Sequence, residues 1–373
     1  MSNGISIGKI WGIPLRLHIS WFIIFLLVAW SLAAGYFPTE NPGLSRSMYW
    51  ILGVATSLLF AASVMAHELG HSYVALKYQV PVKSVTLFIF GGIAQIDQEP
   101  RTPKAEFWIA IAGPAVSLAL GLLFGAVWLV FRPMEALSVP GQWLARINLL
   151  LAGFNLIPGF PLDGGRVLRS ILWKFNKSQQ KSTKITATIG QIVAFGFIIY
   201  GVFALFNGDF FNGLWMAFIG WFLQNAAASS VGQSTLTEIL RGVPVSAVMK
   251  KDVPSVPWFK KLDCIIEEDV LPTGGRIFKV TDGNDMSLRG LLTLRSVTAV
   301  PRERWSDLTA QEVMIPRSKF VTLTPGMEML DALRVMDDAN IAQAPVIDQD
   351  EMIGILTRED LTHYIRLRAE LGV

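Results

Sequence analysis

Long apolar runs set the pattern of the first 232 residues. A helix needs roughly 20 apolar residues to cross a bilayer core. Six stretches come close to that length: 18–36, 48–73, 107–131, 143–172, 185–206 and 210–231. The fifth and sixth contain no charge, and the second holds only His67, Glu68 and His71 as charged or titratable residues. Pro158, Pro161 and Gly164-Gly165 break the fourth. The pattern therefore predicts about six transmembrane helices. The segment between the second and third differs. It reads Ser84-Val-Thr-Leu-Phe-Ile-Phe90, then Gly91-Gly92, then Ile93-Ala-Gln-Ile96, rich in β-branched and aromatic residues around a Gly-Gly break. It is too short to span as a helix and predicts a β-hairpin or re-entrant strand pair, which survives at membrane depth only where protein or water satisfies its backbone.

Composition supports this division of the chain. Of 373 residues, 52% are hydrophobic and 16% charged. Residues 1–232 hold 15 Lys/Arg and 8 Asp/Glu, whereas 233–373 hold 17 and 21. The first part is lipid-like and the second soluble-like. With six spans and an inside N-terminus, segments 1–17, 77–105 and 166–184 carry twelve Lys/Arg, against three in 37–47, 132–146 and 207–212. The positive-inside bias thus places both termini in the cytoplasm. The net charge of +3 and the absence of a basic stripe speak against nucleic acid as a partner. A single cysteine, Cys264, excludes an intramolecular disulfide and a CxxC metal knuckle. The first apolar run has no small-residue cleavage site and continues to spanning length, unlike a signal peptide. Together with the charge bias, this suggests a bacterial-type plasma membrane.

Ionisable groups inside a span are costly and mark function. His67-Glu68-Leu69-Gly70-His71 has the HExxH pattern. On a helix, residues i and i+4 share a face, so both imidazoles can reach one Zn²⁺ while Glu68 touches a metal-activated water. Two histidines that only hydrogen-bond between helices would leave Glu68 unexplained. A catalytic zinc needs a third protein ligand and an open position. The other intramembrane carboxylate is Asp163, in Asn155-Leu-Ile-Pro-Gly-Phe-Pro-Leu-Asp163-Gly-Gly-Arg166. The prolines and glycines unwind the helix there and let Asp163 turn towards the metal. His71 lies six residues before Lys77, about 9 Å along a helix, and Asp163 lies three before Arg166, so both sit in the cytoplasmic third. The competing role for Asp163 is a salt bridge to Arg166 or Arg169.

HExxH in one span, NxxPxxPxDGG in a later one and FGG in the intervening loop resemble the site-2 protease family of intramembrane zinc metalloproteases. The match covers residues 1 to about 232. The resemblance implies that His67, His71 and Asp163 are zinc ligands and that Glu68 is the general base. It further implies that Asn155 binds substrate or the oxyanion, and that the strand around Phe90, Gly91 and Gly92 holds extended substrate. For Asn155 an interspan hydrogen bond competes; for the strand, a structural turn. The substrate implied is a transmembrane helix of another protein, cut near the cytoplasmic side. An edge strand at 86–93 could capture it, once unwound, by β-addition.

The tail is repetitive. Pro244-Val-Ser-Ala-Val-Met249 recurs as Thr309-Ala-Gln-Glu-Val-Met314, 65 residues on, and Leu291-Leu-Thr-Leu-Arg-Ser-Val-Thr298 as Ile355-Leu-Thr-Arg-Glu-Asp-Leu-Thr362, 64 on. Each unit reads as VM-turn, strand, helix, strand, strand, helix. The repeat resembles a pair of CBS (cystathionine-beta-synthase) modules, which implies an α/β fold, association into a homodimer and possible adenine-nucleotide binding. Thr357 and Asp360 are placed to meet a ribose, while Ser296 replaces the second of these in the first unit. A purely structural pair is equally consistent with the sequence. The expected organisation is a membrane protease domain 1–232, a linker 233–242 and CBS-like repeats 243–304 and 305–373. The rival from another class is a CBS-regulated metal transporter. Against it stand the two intramembrane histidines out of four, the lack of a further pathway carboxylate and the lack of a His-rich loop.

Overall fold

The structure is a computed structural model describing residues 4–89, 91–96, 99–283 and 287–371. It divides into two units, Met1–Ser234 and Thr235–Val373.

The first unit begins with strands where the sequence suggested only a cytoplasmic segment. β1 (Gly4–Ile10) and β2 (Ile13–His18) form an antiparallel hairpin. Its two-residue turn, Trp11-Gly12, has positive φ at both positions (51° and 80°), the geometry of a tight hairpin turn that suits glycine. β3 (Val82–Phe88) joins β2 in parallel, and β4 (Gly91–Ile96) pairs antiparallel with β3, giving the order β1-β2-β3-β4. The predicted strand pair around Gly91-Gly92 is therefore part of a four-stranded sheet, and β4 is one of its edges.

The helices are α1 (Trp21–Ser31), which runs through a π-turn at Leu32–Tyr36 into α2 (Phe37–Glu40), then α3 (Arg46–Lys77), α4 (Pro103–Val130), α5 (Glu135–Asn155), α6 (Asp163–Asn176), α7 (Gln179–Phe206) and α8 (Phe210–Leu240). Their starts follow local chemistry. Ser45, Thr102 and Ser178 accept hydrogen bonds from the N–H groups of Met48, Ala105 and Lys181, and Pro103 occupies a first-turn position of α4. Among the described residues, four helical segments are long and apolar enough to cross a membrane: Trp21–Glu40, Arg46–Lys77, Pro103–Val130 and Gln179–Phe206. The chain is a membrane protein. The fourth apolar stretch of the sequence is two helices, α5 and α6, parted at 156–162 where Pro158 and Pro161 cannot continue a ladder. The backbone of 233–240, expected as a linker, continues α8.

Two packing features position the site. Ile13, Leu15, Val85 and Leu87 of the sheet pack on Met65 and Leu69 of α3, one on either side of the His67 turn. At the other helices, small residues allow close approach. A Cβ at Gly121 would strike Leu149 of α5, and one at Gly164 would strike the carbonyl oxygens of Leu156 and Ile157. Only glycine lets the first turn of α6 lie against the loop that precedes it.

The second unit contains a sheet β5-β6-β7-β8 (Ser255–Pro257, Ile277–Thr281, Leu288–Thr293, Ile315–Pro316) and a pair β9-β10 (Gln343–Asp348, Glu351–Thr357). The repeats exchange their leading segments: Lys250 bridges Ile355 of the second repeat, while Ile315 pairs with Leu291 of the first. Two cores result, and the exchanged segments enter them: Val243 and Val245 of the first repeat join the core of the second, and Ala310 of the second joins that of the first. Met329, Ala332 and Met336 of the helix Met329–Asp338 pack on Ala344, Val346 and Leu356. Val256, Leu262 and Ile265 pack on Phe278, Val280 and Leu292. The irregular 269–275 stretch of the first repeat begins inside a π-turn at Ile266–Val270 and contains a left-handed Gly274.

Candidate metal centre

α3 presents His67 and His71 one turn apart on a face covered by α4 and α6, and both rings are buried. Asp163 is the first residue of α6, at the end of the unwound 156–162 segment. His67 Nε2 and His71 Nε2 lie 3.2 Å apart, and they lie 3.2 and 3.1 Å from the same Asp163 oxygen, Oδ2. Among the described residues, this is the His/Cys/Asp/Glu group whose ligand atoms converge closely enough to hold a metal ion.

The donor chemistry fits zinc. Three ligands at the usual 2.0–2.1 Å in a tetrahedral arrangement sit about 3.3 Å from one another, close to the triangle described. The far side of each ring is also committed. His71 Nδ1 lies 2.7 Å from the Ile109 carbonyl, which only accepts, so Nδ1 carries the proton and Nε2 offers its lone pair. His67 Nδ1 is 2.8 Å from Ser117 Oγ. Orienting bonds of this kind hold imidazoles for a metal. A metal ion at the point where the three atoms converge would accept the lone pair that the His71 Nε2 directs there.

Gly113 of α4 closes the wall of the site. A Cβ there would fall on the Nε2 atoms of both His71 and His67. Glu68 points to the other side, where its Oε2 accepts from the Ala94 N–H of β4 at 3.1 Å, and a Cβ at Gly92 would strike its side chain. The sheet edge and the carboxylate are thus in direct contact, with Gly91 beginning the same strand. Phe90 lies outside the described residues. Asn155 ends α5 with its amide donating to Leu151 O of its own helix at 3.1 Å, rather than across to another span.

Of the two arginines that competed for Asp163, Arg169 pairs with Glu106. In the tail, Thr357 Oγ1 donates to Asp360 Oδ2 at 2.6 Å and accepts from the Asp360 N–H at 3.1 Å, which caps the helix Arg358–Leu371. Sequence reasoning missed Ser117, Gly113 and the Ile109 carbonyl. The only available signal was the run Gly113-Pro-Ala-Val-Ser117, which places a small residue and a hydroxyl one turn apart on a facing span.

A membrane-embedded pair of histidines and a carboxylate, with a glutamate next to the first histidine, defines a metalloprotease class. Residues 55–138 and 134–199 match Peptidase family M50, and 310–367 match the CBS domain. A Synechocystis sp. protein named as a zinc metalloprotease is 36% identical over 99% of this chain and 97% of its own length. Rip3 of Mycobacterium tuberculosis, likewise named as a zinc metalloprotease, is 36% identical over 98% of this chain and 93% of its own. A solved site-2 protease from Methanocaldococcus jannaschii, 35% identical, aligns over 61% of this chain and 95% of that one with a TM-score of 0.42. The chain belongs to peptidase family M50, the site-2 protease family of zinc metalloproteases, and carries a CBS domain.

Gly113→Ala tests the fit of the site. With both rings tied at Nδ1, neither can move aside without losing that bond. Metal analysis of the purified variant should find zinc uptake abolished with helical content unchanged by circular dichroism; full zinc occupancy would contradict the geometry.

Proposed function

We propose that this protein hydrolyses peptide bonds of transmembrane helices within the membrane, near the cytoplasmic side, using His67, His71 and Asp163 as the ligands of one zinc ion. The observation that carries this reading is the triangle of two Nε2 atoms and one carboxylate oxygen, buried and with both Nδ1 atoms hydrogen-bonded on the far side of the rings. Zinc, when bound, supplies Lewis-acid activation for amide hydrolysis.

The remaining work falls to the chain itself. Glu68 takes the proton of the attacking water and returns it to the leaving amine. Its bond from Ala94 N–H holds the carboxylate beside the strand edge and is the charge-assisted kind, stronger than a neutral one. A substrate helix hides its peptide bonds in its own ladder, so the cleaved segment must unwind. The edge of β4 at Gly91 and Gly92, beyond the Ala94 N–H that Glu68 holds, offers main-chain partners for such a segment by β-addition. Gly92 has no side chain to obstruct Glu68 there. Asn155 orients the scissile carbonyl or its oxyanion after releasing its bond to Leu151.

In the same reading α5 and α8 complete six spans, the β3–β4 hairpin is re-entrant, and both termini are cytoplasmic. The charge bias of the loops supports this topology. Thr357 and Asp360 would meet the ribose of an adenine nucleotide that modulates cleavage. Titrating adenine nucleotides onto the full protein tests that role, since Asp360→Ala should remove any binding and an unchanged isotherm would exclude it.

Cleavage of a single-span reporter co-reconstituted in liposomes tests the central step. Glu68→Gln should lower the rate at least about 100-fold, the lower end of a general base's contribution, while zinc content stays that of wild type. Undiminished cleavage would remove Glu68 from the mechanism. Topology has its own reporter, because Cys264 is the sole cysteine and is exposed. A membrane-impermeant maleimide should label it in inside-out vesicles and leave it unlabelled in intact cells; the reverse pattern would invert the topology.

A further inference from the structure

We infer that Arg169 is a positioning residue for the metal centre: paired with Glu106, it holds α6 at the height where Asp163 meets the two histidines. This inference rests on the metal-centre reading above. Asp163 occupies the first position of α6, and Leu162 before it provides no side-chain cap. The end of a helix is where it frays, so the third ligand needs an anchor further along. Arg169 lies six residues on, about 9 Å along the axis.

Its guanidinium is buried and makes contacts in three directions. Nε donates to Glu106 Oε1 of α4 at 2.5 Å, and Nη2 pairs with the same oxygen. The guanidinium lies over the Phe160 ring at 5.1 Å, and Phe160 belongs to the unwound segment that leads into Asp163. Nη1 reaches Thr183 Oγ1 of α7 at 3.5 Å and Glu99 at 3.6 Å. Glu106 is fully buried and lies one turn before Ile109, the residue whose carbonyl fixes the His71 ring. One ion pair therefore joins the helix that carries the third ligand to the helix turn that orients the second.

Apolar and glycine contacts between helices tolerate sliding, because they are nearly indifferent to small shifts along the axis. A buried ion pair is not. Its desolvation is offset only at one geometry, and its best-attested use is to specify register. The planar fork of arginine, which can also stack on Phe160, suits this task better than the point charge of lysine. The pairing also removes one of the two competitors noted in the sequence, because Arg169 is engaged by Glu106 while Asp163 meets the histidines.

The test is zinc affinity of the full-length protein, measured by competition with a chromophoric chelator. Variants are Arg169→Lys and the double replacement Glu106→Leu/Arg169→Met, which fills both buried positions with apolar atoms. Each should retain wild-type helicity and bind zinc at least about tenfold more weakly, the usual effect of losing a partner behind a metal ligand. The deciding comparison adds Arg169→Lys to Asp163→Ala. If Arg169 acts through Asp163, the second change should alter affinity less than about twofold. Equal losses in both backgrounds, or a folded variant with wild-type affinity, would overturn the inference. Should the double replacement fail to fold, Arg169→Lys decides by the same criteria. Wild-type protein that takes up no zinc would contradict the metal centre itself, a different outcome from any of these.

Discussion

Two imidazole nitrogens face each other across 3.2 Å in a buried site, and the rest of the first unit is arranged so that they can stay there. With the His71 proton held at Nδ1 by a carbonyl, its Nε2 has only a lone pair to offer the centre. A buried polar atom left without a partner costs about 1–3 kcal/mol, and here the atoms converge on a single point. A zinc ion resolves that conflict, and metal binding in small structural sites contributes on the order of 10 kcal/mol. Gly113 leaves space for the donors, Ser117 and Ile109 aim the rings, and the glycines of α6 let Asp163 approach from an unwound loop.

A second constraint follows from water. Hydrolysis inside a bilayer needs a base that is neither stranded in lipid nor engaged by the metal. Glu68 lies between the histidine turn and a sheet edge, half-buried, with one oxygen on the Ala94 N–H. The sheet itself is fixed by packing Ile13, Leu15, Val85 and Leu87 on the residues that flank His67. The edge that meets Glu68 is the one that pairs only with β3, so an extended chain added to it would run past the carboxylate.

How much of this could be read beforehand depended on whether the residues announce themselves by spacing. His67, Glu68 and His71 do, because i and i+4 share a helix face and charge within an apolar run is rare. Asp163 did so less directly, through the prolines and glycines around it. The orienting groups did not: a main-chain carbonyl at Ile109 has no side-chain signature, and Ser117 resembles any small residue in a span. Arg169 was visible, but its partner was not, since pairing across helices depends on axial height. The β1–β2 hairpin was missed because seven- and six-residue strands near a terminus carry little periodic signal. The two halves of the broken fourth stretch were read as one span because hydropathy averages over the 156–162 turn. In the tail, the repeat was legible at 64–65 residues, whereas the exchange of leading segments between repeats became apparent only in the pairing of Lys250 with Ile355 and of Ile315 with Leu291.

The central claim is that one zinc ion is held by two imidazoles and a carboxylate. X-ray absorption spectroscopy of the zinc-loaded protein tests it most directly. The account predicts two imidazole nitrogens and carboxylate oxygen at about 2.0–2.2 Å with no sulfur scatterer, and loss of one oxygen ligand in Asp163→Ala with both imidazoles retained. A zinc–sulfur distance near 2.3 Å, or a spectrum unchanged by Asp163→Ala, would contradict it.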